Sequence, residues 1–542
     1  MVFAKDEVDY SLYLVTDSTM LPEGTTLYSQ VENALENGVS LVQLREKNVD
    51  TKKFIEEAIE IQKLCKKFEV PLIINDRIDV ALAIDADGVH VGQDDMPIPM
   101  VRKLVGPDKI IGWSVGYTHE VEQLAQWGPD YVDYIGIGMV FPTNTKKNAK
   151  KSPMGPRGVA RILDALENNN VDWCRTVAIG GLHPDNISRV LYQCNSLSGQ
   201  RSIDGISVVS DIMAAKDAGA ATKNLRDILD KGYYSFVNLQ LSIKTIYDLD
   251  FSSHTKRFLE QVAKNRPLVQ HITNKVHQNF GANVTLAIGS SPIMSEIKEE
   301  ANDLAHIPHA ALLVNTGSVA PLEVVKTAIQ AYNDVKRPIV FDPVGYSATT
   351  TRIVLNDTLL ASGQFTCIKG NTGEILSLAG FSGKMRGVDA HEGDFDKNLL
   401  AQATREVAFR FRTIAVCTGE LDFIADGTLG GTYSLSDGTK DRVLKDLPCV
   451  VVSNGPIPLM GDITASGCSL GSTIASLLGG ANSDENPFEL VVAAVELYKE
   501  AGRLASLSSE GSGSFHVQLI DKLYNCFRSN PRTWAPKVET LN

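Results

Sequence analysis

Eight short apolar runs recur through the first part of the chain at intervals of roughly 20 to 40 residues, with amphipathic stretches between them. They are Tyr13–Thr16, Val39–Leu44, Pro71–Ile74, Gly88–Val91, Ile110–Val115, Tyr134–Val140, Thr176–Ile179 and Gly205–Val209. The intervening segments read as helices. In Asp50–Phe68, for example, Phe54, Ile55, Ala58, Ile61, Leu64, Cys65 and Phe68 fall along one face, which makes Cys65 a core residue. Eight strand–helix units within about 220 residues predict a closed (β/α)8 barrel.

A barrel of this kind gathers its functional groups at the C-terminal ends of its strands. Strand one is followed by Asp17, strand two by Gln43, Arg45 and Lys47 in QLREK, and strand three by Asn75-Asp76. Strand four is followed by Gln93-Asp94-Asp95, strand five supplies Ser114, and strand six leads into Thr143-Asn144-Thr145-Lys146-Lys147. Strand seven ends in Gly180-Gly181 and strand eight in Ser210. Arg45, Lys47 and Lys146 are cationic, and Asp76 and Asp95 are carboxylates from neighbouring strands. That mixture suits a Mg²⁺-bound diphosphate, because Mg²⁺ takes few protein oxygens and shares the rest with phosphate and water. Singly, each carboxylate reads equally well as a solvated loop residue or a helix cap. The Thr143–Lys147 loop offers hydroxyls, backbone N–H groups and ammonium groups to an anion, and Gly180-Gly181 ahead of a helix start offers N–H groups to another.

Further strand candidates follow at Leu268–Ile272, Ala310–Val314, Pro338–Phe341, Phe365–Ile368, Thr413–Val416 and Phe423–Ala425. They alternate with helical stretches but carry longer insertions, which predicts an open sheet with helices on both faces rather than a second barrel. Gly461–Ala475 (GDITASGCSLGSTIA) is a Gly/Ser/Thr-rich turn running into an apolar helix, an anion site by its free N–H groups and helix dipole. No lysine follows the glycines, so it is not a Walker A loop. Cys468 stands at that helix start, where its pKa is expected to fall. Asp342 and Glu374 are carboxylates at strand ends, Lys369 and Thr418 lie close by in sequence to other strand ends, and His271–Asn274, Asn279 and Ser290–Met294 suggest a mixed polar and apolar pocket.

The 542 residues call for at least two domains, placed at 1–235 and 256–542 with a connection at 236–255 that is too apolar for a floppy linker. A net charge of -13 argues against a nucleic-acid or anionic-membrane binder. The eight cysteines show no zinc spacing or disulfide framework. The N-terminus lacks a signal-peptide core and no run of about 18 apolar residues occurs, so a cytoplasmic location is expected.

QLREK, IIND, HVGQDD, GWSVG, DYIGIGMVFPTNTKK, AIGGL and GISVVS together resemble thiamine-phosphate synthase over nearly all of residues 10–230. The resemblance implies condensation of hydroxymethylpyrimidine diphosphate with hydroxyethylthiazole phosphate. It would place Gln43, Leu44, Arg45, Glu46, Lys47, Asn75, Ser114 and Lys146 on the pyrimidine diphosphate, and Asp76 and Asp95 on Mg²⁺. Thr143, Asn144, Thr145, Gly181, Val209 and Ser210 would hold the thiazole phosphate. Met139 stands where that family usually has Pro. The chemistry needs an anionic leaving group stabilised, with Arg45 and Lys146 foremost, and the thiazole nitrogen positioned.

HITNKVHQNFGANVTLAIGSSPIM, DPVG, IKGNTGEI, CTGELDFIADG and the TASGC turn resemble hydroxyethylthiazole kinase, of ribokinase-like fold, over about residues 256–530. The resemblance implies that Met294 and Ala465 meet the thiazole, Lys369 and Thr418 the ATP, Asp342 and Glu374 the Mg²⁺ region, and that Cys468 takes the place of the sugar kinases' catalytic Asp. It also implies a homo-oligomer built on a kinase trimer with sites between subunits. Two departures stand out: Ala465 replaces a Gly, so its backbone must avoid positive φ or accept strain, and Ser347 stands where Gly is common. Both resemblances on one chain imply a bifunctional enzyme of thiamine biosynthesis of the fungal type. Its rivals are a chain with a dead kinase, a catalytically silent thiamine sensor, and a sugar-kinase-like activity.

Overall fold

The computed structural model describes residues 4–47, 49–143, 153–196, 201–231, 251–318, 320–381, 396–428 and 447–541. The chain forms two compact units, Met1–Phe236 and Val237–Asn542. The expected connection at 236–255 falls outside the described residues up to residue 250, and from there it is already the start of a helix, Phe251–Asn265.

The first unit is a closed barrel of eight parallel strands. They are β1 (Leu12–Val15), β2 (Leu41–Leu44), β3 (Leu72–Asn75), β4 (Gly88–Val91), β5 (Ile110–Val115), β6 (Tyr134–Gly138), β7 (Arg175–Ile179) and β8 (Gly205–Val208). β1 pairs with both β2 and β8, which removes every sheet edge. The alternation of a strand divides the apolar residues between two cores. Leu12, Leu14, Val42, Leu44, Leu72 and Ile74 pack outward beneath the helices. Tyr10, Tyr13, Val15, Leu41, Ile73, Ile110, Tyr134 and Val177 fill the interior. Cys65 lies in the outer core on the helix Thr51–Lys67, where its thiol pKa is raised by burial.

The second unit is built on a nine-stranded sheet. Its strands are β9 (Leu268–Ile272), β10 (Ser291–Ile293), β11 (Ala311–Asn315), β12 (Ile339–Asp342), β13 (Cys367–Asn371), β14 (Ile414–Thr418), β15 (Asp422–Asp426), β16 (Cys449–Ser453) and β17 (Lys537–Thr540). The order is β10-β9-β11-β12-β13-β14-β15-β16-β17, parallel as far as β14 and antiparallel beyond. Alternate strand residues feed two cores, so the sheet is covered on both faces. Ala311, Leu313, Val340 and Cys367 pack with the helices His277–Ala287, Ser466–Gly480, Pro487–Leu507 and Ser512–Phe527. Leu312, Val314, Phe341 and Ile368 pack with Leu322–Asp334, Thr372–Ala379 and Lys397–Phe411. The sequence reading placed six of these strands and missed β10, β16 and β17. Among the described residues no helix is long and apolar enough to cross a membrane.

Candidate active sites

The C-terminal mouth of the barrel opens a cavity lined by Gln43, Arg45, Lys47, Asn75, Asp76, Asp95, Ser114, Thr143, Gly181, Val209 and Ser210. Eleven of the residues singled out from sequence are thereby brought to one opening. Asn144, Thr145 and Lys146 lie outside the described residues. Two of the expected group turn elsewhere. Leu44 is a fully buried outer-core residue, as the alternation of β2 demands. Glu46 faces away from the opening, accepting hydrogen bonds from Ser18 Oγ at 2.5 Å and Thr16 Oγ1 at 3.5 Å, and burial raises its pKa. Arg45 pairs with Asp17 at 3.2 Å and is held at the rim by it.

Asp76 sits in the left-handed region, φ 59°, which turns its carboxylate toward Asp95 and to 3.6 Å from Lys47 Nζ. Its pKa is raised, first by burial and then by the neighbouring Asp95, with Lys47 opposing. Two neighbouring carboxylates, with Lys47 beside one of them, fit a divalent cation. Among the described residues no group of three or more His, Cys, Asp or Glu side chains is set to hold a metal. The remaining coordination would come from substrate and water.

Beneath this mouth lies a feature that strand ends alone do not reveal. Gln43 Nε2 donates to Tyr13 OH at 2.7 Å, the Tyr13 and Tyr134 hydroxyls are 2.7 Å apart, His90 Nδ1 is 3.0 Å from Tyr134 OH, and His90 Nε2 is 2.9 Å from Ser114 Oγ. A Cβ at Gly112 would overlap both the Tyr134 ring and His90, so the glycine makes the space for the pair. Ser207 Oγ, also on the cavity wall, is buried with no hydrogen-bond partner among the described residues. At the rim, His183 Nδ1 lies 2.8 Å from Asp211 Oδ2, which raises the imidazole pKa beside Gly181 and Ser210. Alternation along β4 and β6 places His90 and Tyr134 inward, and that was the signal available in the sequence.

The second unit carries a cleft at the C-terminal ends of its parallel strands, lined by Asn274, Asp342, Lys369, Glu374, Thr418, Thr464, Ala465, Gly467, Cys468 and Lys499 among others. Asp342 ends β12. It is 3.1 Å from Lys369 Nζ on one oxygen, which also accepts from Asn315 Nδ2 at 2.7 Å. Its other oxygen, Oδ1, is buried without a hydrogen-bond partner among the described residues. An orphaned carboxylate oxygen beside a lysine fits a cation that shares it. Glu374 is less free than its sequence position suggested. Its Oε1 accepts from Gly345 N and its Oε2 from Asn371 N, each at 2.7 Å, and the second bond is half of a capping box at the start of Thr372–Ala379. Burial and then Asp342 push its pKa up to about 7.

The Gly461–Ala475 stretch does open a helix, Ser466–Gly480, with Ala465 as N-cap. Ala465 takes φ 64°, so this residue accepts the strain a glycine would avoid. Cys468 contradicts expectation. Its pKa is pushed up to about 11, because burial and the Asp342 charge outweigh Lys369 and the hydrogen bonds with Asn315 and Asn274. Its Sγ accepts from Asn274 Nδ2 at 3.4 Å. Of His271–Asn274, Asn279 and Ser290–Met294, only Asn274 lines this cleft. His271 and His277 instead share Ser472 Oγ, at 3.1 and 3.2 Å, and burial pushes their pKa values down to about 4 and about 3. Met294 follows the edge strand β10 and stays out of this cleft.

Two family models match the chain: thiamine monophosphate synthase over residues 12–212 and the hydroxyethylthiazole kinase family over residues 259–529. Along its length the chain is similar to the thiamine biosynthetic bifunctional enzyme of Saccharomyces cerevisiae, 66% identical with 99% of each chain covered. It is 39% identical to the probable thiamine biosynthetic bifunctional enzyme of Schizosaccharomyces pombe, covering 96% of this chain and 95% of that one. Over 41% of its length it is 43% identical to the thiamine-phosphate synthase of Clostridium novyi, all of which is covered.

Proposed function

The chain belongs to the family of thiamine biosynthetic bifunctional enzymes, joining a thiamine-phosphate synthase to a hydroxyethylthiazole kinase, and from that premise we propose which residues carry each reaction. The second unit phosphorylates the hydroxyl of hydroxyethylthiazole with ATP. The barrel then joins the thiazole phosphate to hydroxymethylpyrimidine diphosphate, releasing diphosphate.

In the barrel, Arg45 and Lys47 bind the diphosphate with Lys146, Gln43 and Asn75 orient the pyrimidine end, and Ser114 donates to the leaving group. Asp76 and Asp95 would hold Mg²⁺, which when bound neutralises charge on the departing diphosphate. Thr143, Asn144, Thr145, Gly181, Val209 and Ser210 receive the thiazole phosphate and aim the ring nitrogen, which needs only positioning to attack. The placement of Asp76 beside Asp95 and Lys47 at the mouth supports this reading above all.

In the kinase, the N–H groups at the start of Ser466–Gly480 and the Lys369 ammonium face the same space, a Cβ built on Gly467 lying 3.9 Å from Lys369 Nζ. They hold the phosphoryl group in transfer, Thr418 and its loop hold ATP, and Asp342 and Glu374 would hold Mg²⁺. Cys468 meets the substrate hydroxyl as a thiol. Because Met294 does not line the cleft of its own chain, a thiazole pocket completed by a neighbouring subunit is the arrangement we favour. Dilution to monomer then costs kinase activity before synthase activity, and equal loss sinks the shared site.

The decisive assay follows ADP and thiamine phosphate together from the thiazole alcohol, the pyrimidine diphosphate, ATP and Mg²⁺. A parallel reaction supplies thiazole phosphate and omits ATP. Product in both is expected. Product only with supplied phosphate would place the defect in the strained Ala465 turn, and product in neither would overturn the reading.

A further inference from the structure

We propose that Gln43, Tyr13, Tyr134 and His90 form a one-way hydrogen-bond chain whose purpose is to aim the Ser114 hydroxyl proton into the synthase cavity. The inference rests on the reading of Ser114 as a contact of the departing diphosphate and adds three positioning residues beneath it.

The direction follows from counting protons. The Gln43 amide donates to the Tyr13 oxygen, so the single Tyr13 proton goes to its other neighbour, the Tyr134 oxygen 2.7 Å away. The Tyr134 proton is then given to His90 Nδ1 at 3.0 Å. An imidazole that accepts at Nδ1 carries its proton at Nε2, and there it donates to Ser114 Oγ at 2.9 Å. The Ser114 oxygen is thus occupied as an acceptor, and its own proton is left for an acceptor in the cavity. A phosphoryl oxygen is such an acceptor. A hydroxyl that already accepts a hydrogen bond is also a stronger donor, since each bond in a chain polarises the next.

The surroundings hold this direction in place. Tyr13 and Tyr134 are buried among Val15, Leu41, Ile73, Ile110 and Val177, which leaves their hydroxyls little access to solvent. That burial raises both phenol pKa values, so neither ring gives up its proton. Five strands supply the five members, and Gly112 and Gly136 leave the room that the Tyr134 and His90 rings occupy. A buried polar chain whose members are paired fixes one arrangement of its groups, which is what orienting the Ser114 proton requires.

The test is a double-mutant cycle on the full-length protein with thiazole phosphate supplied. Ser114→Ala is expected to lower the synthase kcat by about 10²-fold, as loss of one donor to developing charge does. Tyr134→Phe keeps the ring, frees His90 to change tautomer, and is expected to cost about tenfold in kcat with the KM for thiazole phosphate unchanged. The double variant should be no slower than Ser114→Ala within about twofold, because Tyr134 acts only through Ser114. Losses that multiply would make Tyr134 a packing residue and overturn the chain. Wild-type rates for Tyr134→Phe with Ser114→Ala impaired would overturn the chain while sparing the Ser114 contact. Wild-type rates for Ser114→Ala would sink both. Should Tyr134→Phe fail to fold, Tyr13→Phe, one link further back, carries the same non-additivity, and its multiplication with Ser114→Ala would overturn the chain.

Discussion

Lys499 reaches from the middle of the helix Pro487–Leu507 to place its ammonium 3.3 Å from Asp422. The same nitrogen donates to the carbonyls of Gly419 and Glu420 at 3.0 and 2.9 Å, while Asp422 Oδ1 accepts from Gly419 N at 2.9 Å. The two residues therefore clamp the Thr418–Asp422 turn between β14 and β15, where Thr418 is assigned to ATP. Burial raises the Asp422 pKa and Lys499 opposes it, so each partner is costly without the other.

Removing the clamp should act on the nucleotide and not on the thiazole. Lys499→Met is expected to raise the KM for ATP about tenfold or more and to leave the KM for hydroxyethylthiazole within about twofold. Lys499→Arg should recover part of the loss. Steady-state kinetics with each substrate varied separately decides it, and equal changes in both constants would refute a role confined to the turn.

Cys468 is a thiol with its pKa pushed up to about 11, so it is not a ready-made base at neutral pH. Phosphoryl transfer has a loose transition state that asks little of a base. Cys468→Ala should therefore slow the kinase by about 10- to 100-fold without eliminating it. Synthase turnover with supplied thiazole phosphate should be unaffected. Complete loss of ADP formation from a folded protein would restore the thiolate role.

Ala465 holds φ 64° at the N-cap of Ser466–Gly480. A Cβ in this region costs about 1 kcal/mol. Ala465→Gly is expected to stabilise the kinase unit by about that amount, less the entropy glycine gains in the unfolded chain, and to keep its activity. Denaturant unfolding of the variant checks this. A clear loss of stability would mean that the methyl group makes compensating contacts.

Glu496 is buried and, among the described residues, accepts one hydrogen bond, from Thr255 Oγ1 at 3.2 Å, and burial pushes its pKa up to about 7. The unfolded chain titrates this group near the ordinary glutamate value, so between that pH and about 7 the folded form holds the extra proton. Stability from this residue thus falls as pH rises through that window and stays low above it. Glu496→Gln, which mimics the protonated form, should match the parent near pH 4 and exceed it above pH 7 by about 3 kcal/mol. Melting temperatures of both proteins across pH 5 to 8 would show whether the gap opens, and a constant gap would contradict it.

Much of the barrel mouth was legible because a closed parallel barrel sends the ends of its strands to one place. Gln43, Arg45, Lys47, Asp76, Asp95 and Ser114 could be collected before any distance was known. The floor was not collected that way. His90 and Tyr134 lie one or more residues before their strand ends, and their meaning depends on which strands are neighbours around the closed ring. Cys468 misled because its helix position is local information, while the Asp342 charge and the burial that raise its pKa come from distant chain. Of the strands missed, β16 (CVVVS) had an apolar pattern to read, whereas β17 (KVET) is largely exposed at a sheet edge and has almost none. Lys499 was readable in principle as a lone lysine inside an apolar helical run.

The raised pKa of Cys468 bears on how the protein ages. Of its eight cysteines, seven are buried, and Cys468, only half-buried, lines the kinase cleft. With a pKa of about 11, roughly one in ten thousand of these thiols is ionised at neutral pH. Peroxide and electrophilic damage proceed through the thiolate. A group that a substrate-sized reagent can reach is thereby kept slow to react, and the kinase should outlast oxidative exposure that silences enzymes with activated cysteines.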